Sequence, residues 1–264
     1  MSWVETASAT FTARHDARDT ADARHVLGRL ERARRRLEGQ LGADAGELAV
    51  VLHGTAAQLD AAAPWLPLVR RSTAPASRRY VVGWAGEHEL HVLAPRLLAQ
   101  RASNSEGSLE LLMLTPVALL ARRTLAAVHP RMPPPMGPLR AYTWWRSAWL
   151  VEGAAQWLAG QTGHVRPAVA RRLREGPPPS FPPSRADALL LGGTVFDLLA
   201  REAGEAAALA LARHPHPAGS RAALRAAFDG RPTRHTEAAW RSHLQRVAAG
   251  SPVRRARAAR SSSA

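Results

Sequence analysis

Apolar residues recur at helical spacing after Thr20: Val26, Leu30, Ala33, Leu37 and Leu41 share one face, and Gly42 follows as a stop. Thr20 reads as the N-cap of this helix, and its outer face carries Arg29, Arg32, Arg35 and Arg36. Just upstream, Ala9–Ala13 alternates with the period of two that marks a short strand. The apolar run Leu48–His53, ended by Gly54, predicts a second strand. Tyr80–Trp84 and Glu89–Leu93 flank the turn-forming segment Ala85–His88 and predict a hairpin. A short helix is expected within Thr55–Trp65.

Beyond residue 114 the pattern is almost wholly helical. Thr115 and Pro116 read as an N-cap followed by proline in the first turn, and the helix is expected to run to His129, before Pro130. Further helices are predicted near Ala148–Gly160, Pro167–Arg174, Ser184–Ala203, Glu205–Arg213, Ser220–Phe228 and Thr236–Ala248. Pro130–Pro138 and Gly176–Pro183 are proline-rich loops. The fold class is therefore α+β, with a small mixed α/β part over 1–114, a helical part over 115–250 and an Arg-rich tail over 251–264. The tail, with Arg254, Arg255, Arg257 and Arg260 among Ala and Ser, is expected to be disordered.

With 264 residues the chain can bury a full core without staples. It has no cysteine, which excludes disulfides, thiolate metal sites and cysteine nucleophiles. The formal charge is +15, and every one of the 36 basic residues is arginine. Such a charge attracts nucleic acid and anionic surfaces. Abundant arginine and alanine also point to a compositional drift that inflates the number. The longest apolar candidate for a membrane span, Leu109–Val128, is interrupted by Glu110, Pro116, Arg122 and Arg123. The N-terminus has no basic region followed by an apolar run, so the expectation is a soluble, cytoplasmic chain with no membrane span.

The segment Trp149–Trp157 holds the most informative residue, Glu152, inside an otherwise apolar helix. A buried carboxylate is costly unless it is paired or bound to a metal. Read alone, Glu152 is equally an acidic residue near a helix start, favoured by the dipole. Tyr142, Trp144, Trp145, Trp149 and Trp157 surround it in sequence, and Tyr142, Trp145, Trp149 and Trp157 are candidates to line a cleft.

Trp149-Leu150-Val151-Glu152-Gly153-Ala154-Ala155-Gln156-Trp157 resembles the W-x-x-E-G-x-A-x-aromatic helix of gluzincin metallopeptidases, especially the bacterial peptidase-MA-like families. There the Glu is the third zinc ligand, and the preceding helix carries H-E-x-x-H, with two histidines as ligands and the Glu as general base. Weaker likenesses follow in the same order, from Phe11–Ala13 and Leu48–His53 through Ala188–Phe196 to Phe228–Gly230 and Glu237–Leu244, so the resemblance covers about residues 9–248.

The helix that would carry H-E-x-x-H is Leu119–His129, and the motif is missing from it. One register sets Arg123, Thr124 and Ala127 at the zinc-site positions, with Glu152 as the remaining ligand. A shift of one residue sets Arg122, Arg123 and Ala126 there. Neither supplies a histidine or a catalytic Glu. What the resemblance implies is a zincin-like fold whose zinc site is lost, with no cofactor, no hydrolysis, and a binding or scaffold role for a protein or peptide partner through a retained cleft. Arg122 or Arg123 is expected to replace the metal by pairing with Glu152.

Two other readings stand beside it. The arginine-rich surface would suit non-specific nucleic-acid binding, although no helix-turn-helix, zinc finger or RNP-like segment occurs. A zinc hydrolase with rearranged ligands would use Glu152 with His129 or His164. His88 and His91 are three apart in a strand, which puts them on opposite faces and argues against a metal site there. His214-Pro215-His216 reads as a loop, and Gly192-Gly193 reads as a close helix contact rather than a phosphate loop.

Overall fold

The computed structural model describes residues 3–129, 138–214 and 218–250, with side chains described throughout except over 138–146. The tail, the segment 130–137 and residues 215–217 lie outside the described residues.

The chain is α+β. It opens with strand β1 (Trp3–Ala7), which no pattern predicted, and returns antiparallel as β2 (Phe11–Asp16). The strand expected at Ala9–Ala13 thus sits two residues further on. Asp16 then caps a 3-10 turn over Ala17–Asp19, so Thr20 is the first residue of helix α1 (Thr20–Leu41) rather than its cap. Gly42 ends α1 with φ of 68°, a left-handed conformation that glycine adopts without strain.

Strand β3 (Leu48–His53) is followed by α2 (Ala56–Ala62), where Thr55 and Gln58 form a capping box. Short helices α3 (Leu66–Ser72) and α4 (Pro75–Arg78) lead to β4 (Gly83–Ala85), three residues later than expected, and β5 (Glu89–Leu93). The Gly86 amide donates to the Glu89 carbonyl at 2.7 Å and closes the hairpin. Then come α5 (Pro95–Arg101) and α6 (Ser108–Met113), which the sequence pattern missed, and α7 (Thr115–Val128). Helix α8 (Pro138–Leu158) begins ten residues before the expected start, and α9 (Arg166–Arg174), α10 (Arg185–Ala203), α11 (Glu205–Arg213), α12 (Ser220–Ala227) and α13 (Thr233–Ala249) complete the chain.

The sheet order is β1-β2-β3-β5-β4. The three central strands β2, β3 and β5 are parallel, and both edge strands are antiparallel. Alternation divides the faces. Phe11, Ala13, Val50, Leu52, Leu90 and Val92 point to a core that also holds Leu27 and Leu30 of α1, Leu120 of α7 and Phe196 of α10. That core runs without a break from the sheet to Leu244 in α13. Trp84 and Leu93 point the other way, into a smaller apolar cluster with Leu59, Leu66 and Leu98.

Helix α8 lies between α7 and α10 and forms its most extensive contact with α10. Glycines make that approach possible. A Cβ on Gly153 would come within 2.5 Å of the Gly192 carbonyl, and one on Gly192 within 2.7 Å of the Trp149 oxygen. Backbone meets backbone here, so nothing flexible can yield. Gly192-Gly193 is a packing contact. None of the described helices is long and apolar enough to cross a membrane.

Gly153→Ala should lower unfolding stability by about 3 kcal/mol through overpacking. Gly39→Ala, in α1 with nothing within 4 Å of the added methyl, should instead raise it by about 0.5–1 kcal/mol. Urea denaturation of both variants checks the opposite signs.

Candidate functional site

Helix α7 is buried around most of its circumference, including Leu119, Leu120, Ala121, Arg122, Thr124 and Leu125. A guanidinium inside such a helix needs a counter-charge. Helix α8 supplies it: Arg122 Nη2 lies 3.2 Å from Glu152 Oε1, with the two side chains 9% and 7% exposed. Glu152 faces α7, and the adjacent Gly153 faces α10 about 100° further round α8. Neighbouring residues thus fix the two sides of the helix.

Of the two arginines considered, the structure brings Arg122 and not Arg123 to Glu152. Arg123 is half-buried, and its Nε has no hydrogen-bond partner. Desolvation lowers its pKa, with the Glu87 carboxylate opposing that and Arg122 adding to it. It therefore sits on the side of the β4–β5 hairpin. Thr124 turns its hydroxyl back to the Leu120 carbonyl at 3.1 Å. The contact to Glu152 is thus made by Arg122, while Arg123 lies on the hairpin side. The reason is helical: one residue is 100° of rotation, and only Arg122 points at α8.

The pair borders a cavity of about 70 Å³. Tyr80 and Gly83 line it from the end of the sheet, Thr115 and Leu119 from α7, and Gln156 and Leu190 from α8 and α10. Ligand pockets of several hundred Å³ are usual for organic molecules, so this space suits a few waters or one short side chain.

The aromatic candidates are corrected too. Trp149 is 4% exposed and packs on Phe196 with ring centroids 6.4 Å apart; Trp157 stacks on the same ring at 6.2 Å. Trp149 is a core residue and Trp157 is partly buried against the same core, because α8 is covered by α10 on that side. The side chains of Tyr142 and Trp145 lie outside the described residues. Gln156, which the sequence reading passed over, donates to the Ala188 carbonyl at 3.2 Å and accepts from the Gly193 amide at 3.1 Å. It ties α8 to α10 next to the glycine contact.

Zinc is the group that the resemblance brings to mind, and the residues present do not fit it. A working site takes three protein ligands. Beside Glu152 stands a guanidinium, which has no lone pair to donate. His129 Nε2 is 3.2 Å from the Ala212 carbonyl on α11, and His164 packs beside Gly107. Among the described residues no three of His, Asp and Glu converge closely enough to hold a metal.

A second buried polar group lies on the outer face of the sheet. His53 and His91 are 4% and 8% exposed. His53 Nε2 is 3.1 Å from His91 Nδ1, and His91 Nε2 is 3.2 Å from Glu89 Oε2. With His91 donating to Glu89, the network assigns the shared proton to His53 Nε2. His88 is exposed, in accord with alternation. Burial, with His91 adding to it, pushes the His53 pKa down to about 4. Burial also lowers His91, against the opposing pull of Glu89. The sequence signal for this pair was present only if the β3–β5 register was known, because Val51 is the residue opposite His91.

No protein-family model matches the chain, and no curated protein matches it.

Two outcomes are expected. Arg122→Met or Glu152→Leu alone should cost about 3–5 kcal/mol, because each removes one partner of a buried ion pair, whereas the double variant should recover much of that loss. Urea denaturation of the double-mutant cycle measures the coupling. For His53 the folded pKa of about 4 lies below the unfolded value of about 6.5, so the unfolded chain takes up the proton first. Stability should be unaffected by this group above about pH 6.5, fall as pH drops toward 4 and level off below. The loss between pH 7.5 and 5 should be about 2 kcal/mol, and His53→Gln should flatten that part of the stability–pH curve.

Proposed function

We propose that this protein is metallopeptidase-like, of the gluzincin type, and works by binding or scaffolding rather than by hydrolysis. The observation that carries this reading is the contact between Arg122 and Glu152 across α7 and α8, 3.2 Å apart. These are the two helices that hold the zinc ligands in the family the sequence resembles. In this reading the Arg122 guanidinium takes the place of the metal as the partner of the Glu152 carboxylate.

The chemistry follows from those side chains. Arginine stays protonated at all ordinary pH values and accepts no proton from water. Thr124 is engaged with its own helix backbone. Neither of these two side chains can serve as the general base that the family mechanism requires. The sheet gives secondary support, since the antiparallel edge strand β4 lies against α7 and Gly83 borders the same cavity. The partner in this reading is a protein or peptide held in a cleft of the kind the family has, and the small cavity beside the pair is lined by both helices.

Elemental analysis tests this reading, after incubation with excess zinc and desalting. Less than about 0.1 zinc per chain is expected, against one per chain for a working site, and Glu152→Ala should leave the value unchanged. Close to one zinc per chain, lost in Glu152→Ala, would overturn the reading and restore a hydrolase with rearranged ligands.

A further inference from the structure

Helix α1 buries Ala23, Val26, Leu27, Leu30, Ala33, Leu37 and Leu41 against the sheet and α7. The opposite arc holds Ala21, Arg24, His25, Gly28, Arg29, Arg32, Arg35, Arg36 and Gly39, which at 100° per residue span about 140° of the helix. Arg24, Arg32, Arg35 and Arg36 are exposed. Arg29 is neutralised by Glu110 at 2.9 Å. Arg36 reaches the Leu158 carbonyl at 2.7 Å, which orients its guanidinium without cancelling the charge.

No carboxylate lies in this arc. The acidic residues of α1 are elsewhere: Glu31 accepts from Ser8 and Thr10 at the β1–β2 turn, Glu38 pairs with Arg34 at 2.6 Å, and Asp22 lies beyond the arc in the first turn. Compositional drift raises the number of arginines in a chain. It does not sort acidic from basic residues around one helix.

We propose that this face of α1 is a docking ridge for the phosphate backbone of a nucleic-acid duplex. Arg24 and Arg36 are separated by about 18 Å along the helix axis and Arg24 and Arg32 by about 12 Å, which places several guanidinium groups along a line of closely spaced phosphates. Each is a planar fork suited to bidentate phosphate contact. Gly28, between Arg24 and Arg32, adds no side chain of its own to the ridge. A membrane surface is the poorer fit, because an interfacial helix carries large apolar side chains beside its basic face. The large exposed apolar residues among those described, Trp3, Leu68 and Leu109, are not on α1. The face reads no sequence: it presents charge without the Asn, Gln or aromatic groups that address base edges. This inference is independent of the reading of the Arg122–Glu152 site.

The test uses the full-length protein and a labelled DNA duplex of about 20 base pairs, with anisotropy read from about 50 to 300 mM salt. Two triple variants are compared. Arg24→Ala/Arg32→Ala/Arg35→Ala removes the ridge; Arg174→Ala/Arg221→Ala/Arg225→Ala removes the same charge from exposed positions on α9 and α12. The ridge variant should bind at least about tenfold more weakly and show a log–log salt slope smaller by about 3, at roughly 0.9 per phosphate contact. The charge-matched variant should keep the wild-type slope. Equal losses in both variants would overturn the proposal, since net charge alone would then account for binding. Absence of binding at the lowest salt would overturn it, as would a ridge variant that loses only its affinity for phosphatidylserine vesicles. Thermal melting of both variants confirms that each is folded.

Discussion

A charge buried in an apolar helix sets the terms for the centre of this molecule. Arg122 is enclosed by α7's own packing, and the cost of removing a guanidinium from water is recovered only by a carboxylate held in contact. Glu152 meets that need, which fixes the rotation of α8 against α7. Because Gly153 is the next residue, the same rotation aims a bare backbone at Gly192, and α10 closes to a distance that no side chain would allow. Gln156, one turn on, then hydrogen-bonds the α10 backbone. Ion pair, glycine contact and amide bridge lie within five residues of α8 and hold three helices in one arrangement.

The arginines of the interior and those of the surface behave differently. The two buried arginines among the described residues, Arg122 and Arg172, each meet a carboxylate: Arg172 makes a two-pronged contact with Asp187 at 2.6 and 2.9 Å and also caps the carbonyls of Glu175 and Pro177. Arg96 reaches buried Asp19 at 2.7 Å and the Gly54 carbonyl. These pairs specify which elements meet more than they add stability, since desolvation offsets much of the attraction. Outside, on the exposed arc of α1, only Arg29 meets a carboxylate, Glu110, and Arg24, Arg32, Arg35 and Arg36 stand close together, at a cost in self-repulsion that a polyanionic partner would relieve.

The outer face of the sheet shows a third way of burying polarity. His53 and His91 stay neutral by sharing one hydrogen bond and resting on Glu89, while Trp84 stacks on His91 with centroids 5.4 Å apart. The short helices α2 and α3 and their small apolar cluster complete this layer. Its two histidines are held neutral by burial, so its stability responds to acid.

Much of the fold was legible along the chain. The stripe of Val26, Leu30, Leu37 and Leu41 announced α1, Leu48–His53 announced β3 to the residue, and Glu205–Arg213 announced α11, because each pattern is set by local periodicity and a nearby stop. Glu152 stood out for the same reason, as a charge inside an apolar run. Other features were decided only by tertiary structure. β1 has little apolar pattern of its own and forms by pairing with β2. Trp149 and Trp157 were candidates for a cleft, and only the fold sets both against Phe196 on α10, about forty residues away, with Trp149 buried in the core. Arg122 and Arg123 were equivalent in sequence, and 100° of helical rotation against α8 separated one as the partner of Glu152 from the other. Local sequence determines which face of an element is apolar; which element covers that face, and which charge meets which, depends on contacts between distant residues that no window along the chain contains.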